Sequence, residues 1–380
     1  MKFALQPKPC ISSRVPSLEY LLETHRASYH ELLPASEQAL SPWIWSGRGD
    51  LARFRRYTSH VAPLRVYALP SVALFAFGLL ASEAGGVFSA EEFAADEVLD
   101  VAHPVNLATG AFACEAGAEC LQVDDSLAVR TVSEPCLVLS QCGWDIYGHW
   151  LLDVLPKLAV RSLLPFPSKV VLPLGIKPWQ LEYLELMGVR NDDIVCYEPT
   201  RELLQLDRAL QVSHPRQVYA LNRFANRAFD AIADRVEPSA DEASGQKLYV
   251  SRRGLQGRNQ QLVNSEELES MMESRGFTVL QPETLTVTEQ IRRFRSADVV
   301  IGEQGSGLHN TAFSARGVRV LCLHSERAQY FAQAGLGHVR DQPTGFVFGR
   351  QLGDAARARN RRVFEIDVAA LEQCLEREGL

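Results

Sequence analysis

The stretch Asp298-Val-Val-Ile-Gly-Glu-Gln-Gly-Ser-Gly-Leu-His-Asn-Thr-Ala-Phe313 decides how this chain is read. A short apolar run from Asp298 to Ile301 leads into Gly302, Gly305 and Gly307, and then into a helical pattern. Strand, glycine turn and helix in that order leave backbone N–H groups unpaired at a helix N-terminus, where the dipole favours an anion. Ser306 and the amides of Gly305, Ser306, Gly307 and Leu308 are the expected donors to that anion. His309 and Asn310 fall in the first helical turn, within reach of a sugar or phosphate, although a packed structural histidine is the competing reading of His309. A G-x-x-G-x-G run by itself is weak, because glycine also serves tight turns and close packing. Its strand-before, helix-after context is what gives it weight.

Upstream stands a second phosphate-compatible element, Tyr249-Val-Ser-Arg-Arg253, followed by Arg258. Arg252 and Arg253 close a strand, so they belong at the C-terminal crevice of a sheet. There guanidinium forks bind phosphate oxygens in pairs and neutralise a leaving diphosphate without a divalent metal. Arg258 lies in the polar 254–264 loop and reads equally well as surface charge. The run Arg357-Ala-Arg-Asn-Arg-Arg362 reads as a solvated helix face.

Working outward, the chain alternates strand and helix from residue 136 onward. Strands are expected at 136–140, 169–172 and 193–197, and helices at 148–164, 178–187 and 218–236. The segment 237–246 is polar, holds Pro238 and Gly245, and lacks periodicity, which marks a linker. Beyond it come strands at 247–251, 277–280, 298–301 and 318–323. The intervening helices are expected at 266–275, 287–295 and 306–314. Asn264 with Glu267, and Thr286 with Glu289, have capping-box spacing. The pattern predicts an α/β fold of two Rossmann-like domains facing a cleft, 131–238 and 245–380. Residues 1–130 are read as a mixed accessory region, with a helix over 17–33 and short strands near 111–114 and 126–132.

The first of these domains carries its own constellation, Tyr147-Gly-His-Trp-Leu-Leu-Asp-Val-Leu-Pro-Lys157. His149 and Asp153 are four residues apart, so a helix sets them on one face. Two polar groups among Trp150, Leu151, Leu152 and Leu155 need a reason to be there. A proton acceptor for an attacking hydroxyl is one reason, and a His–Asp pair kept for packing is the other. Pro156 removes a helical hydrogen bond and is expected to kink the segment.

Composition narrows the field. The chain has 380 residues, 46% hydrophobic and 22% charged, which is the profile of a globular protein. Its net charge of −7 argues against a broad nucleic-acid surface while leaving room for a local basic pocket. The 71–81 apolar run is shorter than the ~20 residues of a membrane helix, and Met1 to Cys10 lacks an apolar core. A cytoplasmic protein with reduced thiols is therefore expected. The 8 cysteines include no C-x-x-C pair, so no metal cluster is expected. Disulfides between 114 and 120 or 136 and 142 are remote alternatives. No serine-hydrolase elbow, zincin helix or Walker A sequence is present.

The ordered set His149-x3-Asp153-x2-Pro156, Tyr249-Val-Ser-Arg-Arg253, Asn264-x2-Glu267 and Gly302-x2-Gly305-x-Gly307-Leu308-x-Asn310 resembles glycosyltransferase family 61. The likeness covers roughly 136–325. It implies a two-domain glycosyltransferase-B fold, a nucleotide-sugar donor (a UDP-sugar is the expectation) and inversion at the anomeric carbon. By analogy the second domain holds the donor diphosphate at Arg252, Arg253, Arg258 and the Gly305 to Asn310 turn, with Glu303 and Gln304 beside it. The first presents a glycan or lipid-linked glycan acceptor near His149 and Asp153. His149 is the preferred general base, although the roles of the pair are exchangeable at this point. No cofactor or metal is required on this reading, and a loosely held divalent ion remains an alternative. A lipid-linked acceptor would bring peripheral association with the inner face of a membrane. The family usually has histidine where this chain has Gln304, and glutamine cannot exchange protons near neutrality. Two rivals remain: a catalytically degenerate sugar- or nucleotide-binding protein, and a dinucleotide-dependent oxidoreductase with Glu326 as a ribose ligand. The oxidoreductase fingerprint usually follows the first strand of its domain, whereas these glycines follow a later one.

Overall fold

The apolar runs of the C-terminal half pair as parallel strands, and the central ones are buried on both faces. A computed structural model describes residues 2–4, 13–22, 27–40, 43–44, 57–82, 86–88, 104–113, 120–217, 219–238, 245–255, 260–326, 331–352 and 362–380. By their contacts they divide into two units, Met1–Ser36 with Val61–Gln217, and Glu37–His60 with Val218–Leu380.

In the second unit Gln246–Val250, Thr278–Leu280, Ala297–Glu303, Arg319–Ser325 and Thr344–Leu352 are parallel, in the spatial order second, first, third, fourth, fifth. Alternation along each strand feeds two separate cores. Tyr249, Val299, Ile301, Leu321, Leu323 and Val347 pack with Leu268, Met272, Leu371 and Leu375 of helices Ser265–Ser274 and Val368–Glu378. Leu248, Val250, Val300, Val320, Cys322, Phe346 and Phe348 pack with Phe294, Leu308 and Ala334. Those last three come from Val287–Arg295, Ser306–Phe313 and Ala332–Arg340. Helices thus cover both faces of the sheet. The strand order reverses between Gln246–Val250 and Ala297–Glu303, and sheets of this kind open a ligand crevice at the C-terminal ends of such a pair.

Among the described residues the first unit holds a 10-stranded mixed sheet. Its parallel part includes Cys136–Val138, Lys169–Pro173, Ile194–Tyr197 and Glu202–Val212, in the spatial order third, second, first, fourth, and Ala128–Val132 also runs parallel to Glu202–Val212. Here the reversal lies between Cys136–Val138 and Glu202–Val212. On the far side of Glu202–Val212 runs Leu64–Phe75, antiparallel, from Leu204↔Leu74 to Val212↔Val66.

Several expectations change. The N-terminal residues are not set apart by their contacts: Leu64–Phe75 is built into the first unit's sheet, and Trp43–Ile44 pairs with Thr344–Leu352 in the second. The helix expected over 17–33 is a short 3-10 turn, Leu18–Leu22, followed by the strand Ser28–Leu33. That strand's antiparallel pairing with Leu64–Phe75 overrides the local pattern. The long helix expected at 218–236 shrinks to Ala225–Ala233, because the side chain of Asn222 accepts the Phe224 N–H at 2.9 Å and starts it late. It packs within the second unit, Phe229 against Phe313. The Thr286–Glu289 capping box forms as expected. Asn264 makes none, since its amide bonds the main chain of Ile366 in both directions, at 2.8 and 3.2 Å. Cys136 is a free thiol, so its disulfide with Cys142 is not made. Cys114, residues 239–244 of the linker and 357–361 of the basic run lie outside the described residues. Among the described residues no helix is long and apolar enough to cross a membrane.

Candidate active site

In the first unit the helical segment after strand Cys136–Val138 starts with α geometry at Tyr147–His149. It widens to a π turn over Trp150–Val154 and returns to α at Leu155–Ala159. The Leu155 N–H reaches back to the Trp150 carbonyl in the π register. A π turn absorbs the irregularity that Pro156 imposes, so the expected break in helical bonding appears as a wider turn directly before the proline. Asp153 sits on that turn.

Asp153 is wholly buried, and both of its oxygens are engaged. Arg216 Nε donates to Oδ1 at 2.8 Å and Arg216 Nη2 to Oδ2 at 2.9 Å, a two-pronged clamp. His149 Nδ1 lies 2.7 Å from Oδ2, and His214 Nε2 lies 3.6 Å from Oδ1. Burial on its own would raise the carboxyl's pKa. The positive charge of Arg216, the neighbouring His214 and the hydrogen bonds from Arg216 and His149 outweigh that, holding it well below the usual carboxylate range. An ionised carboxylate only accepts, so Nδ1 of His149 carries the proton donated to it, and the neutral form of the ring has its lone pair on Nε2. The His149 side chain is 39% exposed, whereas Asp153 has no surface to offer a substrate. The ring lies over Gly143, where a Cβ would stand 3.4 Å from two ring carbons and where φ is +74°. Further along the same helical segment, the buried Lys157 Nζ donates to the Gln141 side-chain oxygen.

His214, Arg216, Lys157 and Gln141 escaped the sequence reading. Ser213-His-Pro-Arg216 directly follows Glu202–Val212, and Gln141 follows Cys136–Val138. Both segments leave the strand ends where the order reverses. Recognising Glu202–Val212 as a strand was the missing signal.

In the second unit Arg252 and the glycine turn come together at the corresponding reversal. Glu303 Oε1 accepts the Arg252 backbone N–H at 3.2 Å, and the Arg252 guanidinium donates through Nη1 to the Gln304 carbonyl. A Cβ on Gly305 would stand 2.5 Å from Arg252 Cζ, so only glycine lets the guanidinium lie on this backbone. The helix beyond is 3-10, Ser306–Phe313, with the Leu308 N–H bonded to the Gly305 carbonyl. That register leaves the amides of Gly305, Ser306 and Gly307 without an acceptor inside the helix.

Other expected site residues are placed elsewhere. Arg253 pairs with Glu266 at 2.7 Å and Glu269 at 3.0 Å. His309 Nδ1 lies 2.9 Å from the Gln333 side-chain oxygen, and Asn310 donates to Gln290 at 2.8 Å. Both are buried. Leu308 is core. Gln304 turns its side chain inward, accepting from the Cys322 thiol at 3.2 Å. Arg258 lies outside the described residues. No group of three or more His, Cys, Asp or Glu side chains able to hold a metal occurs among the described residues.

An α/β protein with a His–Asp pair at one sheet reversal and an arginine on a glycine turn at another has the parts of a group-transfer enzyme. The family model described as Glycosyltransferase 61 matches residues 147–321, from the first helical turn of the His–Asp segment to the strand beyond the glycine turn. This match supports assigning the chain to glycosyltransferase family 61 and so indicates a glycosyltransferase, with a sugar donor and an acceptor as its partners. No curated protein matches the chain.

Proposed function

We propose that the chain transfers a sugar from a nucleotide-sugar donor, expected to be a UDP-sugar, to a hydroxyl of a glycan or lipid-linked glycan, with inversion by direct displacement. Each unit would serve as one half of a glycosyltransferase-B enzyme, the first for the acceptor and the second for the donor. His149 Nε2 takes the acceptor's hydroxyl proton as that oxygen bonds the anomeric carbon and the carbon–oxygen bond to the diphosphate breaks. Asp153 stabilises the imidazolium that results. Arg252, Ser306 and the amides of Gly305 to Gly307 meet the charge growing on the diphosphate. Arg253 joins them only by leaving Glu266 and Glu269. No divalent ion is needed in this scheme, so the transfer rate is expected to survive EDTA, and a chelation-sensitive rate would overturn that part. A cytoplasmic setting, at the inner membrane face for a lipid-linked acceptor, belongs to the same proposal.

The observation that carries the reading is the 2.7 Å contact from His149 Nδ1 to a wholly buried carboxylate in a side chain that is itself 39% exposed. The test is a panel of UDP-, GDP-, CMP- and dTDP-sugars with the product's anomeric configuration read by NMR. Retention of configuration, or no transfer from any donor, defeats it. The inward-turned Gln304 favours one second reading, a sugar-nucleotide binder without turnover. Saturable nucleotide binding with no transfer would select that reading.

A further inference from the structure

We propose that Arg216 is the positioning residue that keeps His149 in its catalytically competent tautomer, acting through the Asp153 carboxylate. The inference rests on His149 being the base of the proposed transfer. Its geometry stands apart from any substrate.

The terminal torsion of an aspartate carboxylate is broad, so burial alone does not set its plane. The Arg216 fork does. Nε on one oxygen and Nη2 on the other, at 2.8 and 2.9 Å, fix the plane of the carboxylate as well as its position. That plane turns Oδ2 toward His149 Nδ1 at 2.7 Å. The Arg216 Nη2 group also lies 3.5 Å from His149 Nδ1. The ring nitrogen therefore faces a choice between accepting from the guanidinium and donating to the carboxylate. The shorter contact decides it, because a bare nitrogen lone pair held 2.7 Å from a carboxylate oxygen is repelled. With Arg216 in place, Nδ1 carries the proton and Nε2 is the base.

The wider turn at Trp150–Val154 and the path of residues 213–217 past the strand end are what bring the guanidinium to Asp153. Arg216 is only 11% exposed, so it is poorly placed to bind an acceptor directly. Lysine at this position would keep the charge but not the planar pair of donors.

The experiment compares Arg216→Lys and Arg216→Gln with the wild-type full chain by long-range proton–nitrogen NMR of the histidine rings, His149 being assigned with His149→Gln. Wild type is expected to show His149 as a single Nδ1-protonated tautomer. In Arg216→Lys, which keeps a buried positive charge and so protects folding, the tautomers are expected to mix. There kcat falls by about 10²-fold, the effect of a small misplacement of a reacting group. KM for donor and acceptor stays within about twofold, as for loss of an interaction made in the transition state alone. Arg216→Gln is expected to do the same or more. An unchanged His149 tautomer with unchanged kcat in folded Arg216→Lys overturns the proposal. If wild type transfers no sugar at all, the functional reading fails, while the tautomer comparison still decides the role of Arg216.

Discussion

At the scale of single residues, Asp153 shows how a buried charge is kept. It has no exposed surface, and burial works against its ionised form, yet the Arg216 charge and its hydrogen bonds keep it ionised. The consequence for pH follows from the depressed pKa. Above the unfolded value of about 3.9 both states are ionised, and the stabilisation is fully present. As pH falls from there toward the lower folded value, the unfolded chain takes up a proton that the folded one refuses, and the stabilisation is lost. Replacing Asp153 by Ala leaves Arg216 buried without its counter-charge, a change that costs about 3–5 kcal/mol where such pairs have been broken. Urea midpoints at pH 7 and across the acid limb are the measurement. Asp153→Ala is expected to be strongly destabilised at pH 7 and to lose part of the wild-type acid dependence. Equal midpoints at pH 7 would refute the account.

At the scale of elements, the glycine turn depends on one missing methyl group. Arg252 lies so close to Gly305 that alanine there would put Cβ 2.5 Å from Cζ and Nη1, and the guanidinium has to move. Gly305→Ala is expected to weaken nucleoside-diphosphate binding by about tenfold, on the order of one charge-assisted hydrogen bond, and to lower the melting temperature too, because a φ of +158° strains alanine. Calorimetric titration with UDP checks this, and an unchanged affinity would show that Arg252 does not hold the diphosphate. Much of this element was legible beforehand. The apolar run from Asp298 to Ile301, the glycines after it and the Thr286–Glu289 box are local signals, and local signals survive folding. The strand Glu202–Val212 was not legible, since its buried Leu203, Leu204, Leu206, Ala209 and Leu210 lack the alternation of a half-buried strand. Its antiparallel neighbour Leu64–Phe75 lies far away in sequence, and no local pattern announces such a pairing. His214 and Arg216 were missed for that reason alone, because they matter only once the strand before them is known. Arg253, His309 and Asn310 are residue types that suit a phosphate, and in the structure their partners are Glu266, Gln333 and Gln290.

At the scale of the whole molecule, the chain passes between its two units three times, at 36–37, 60–61 and 217–218. Yet His149, Asp153, His214 and Arg216 all fall in the first unit, and Arg252 with 303–307 all fall in the second. Proton transfer and diphosphate binding should therefore separate by mutation. His149→Ala is expected to lower the transfer rate by about 10²–10⁴-fold, the span of a lost general base, while UDP affinity stays within about twofold. Arg252→Ala is expected to weaken UDP binding by about tenfold or more, by loss of a charged hydrogen-bond donor. It should also leave the His149 ring in its wild-type tautomer. The crossed pattern is what carries weight, since a general loss of folding would lower rate and affinity together in both variants. If His149→Ala weakened UDP binding as much as Arg252→Ala does, the histidine would belong to the donor site, and the assignment of one chemical task to each unit would be wrong.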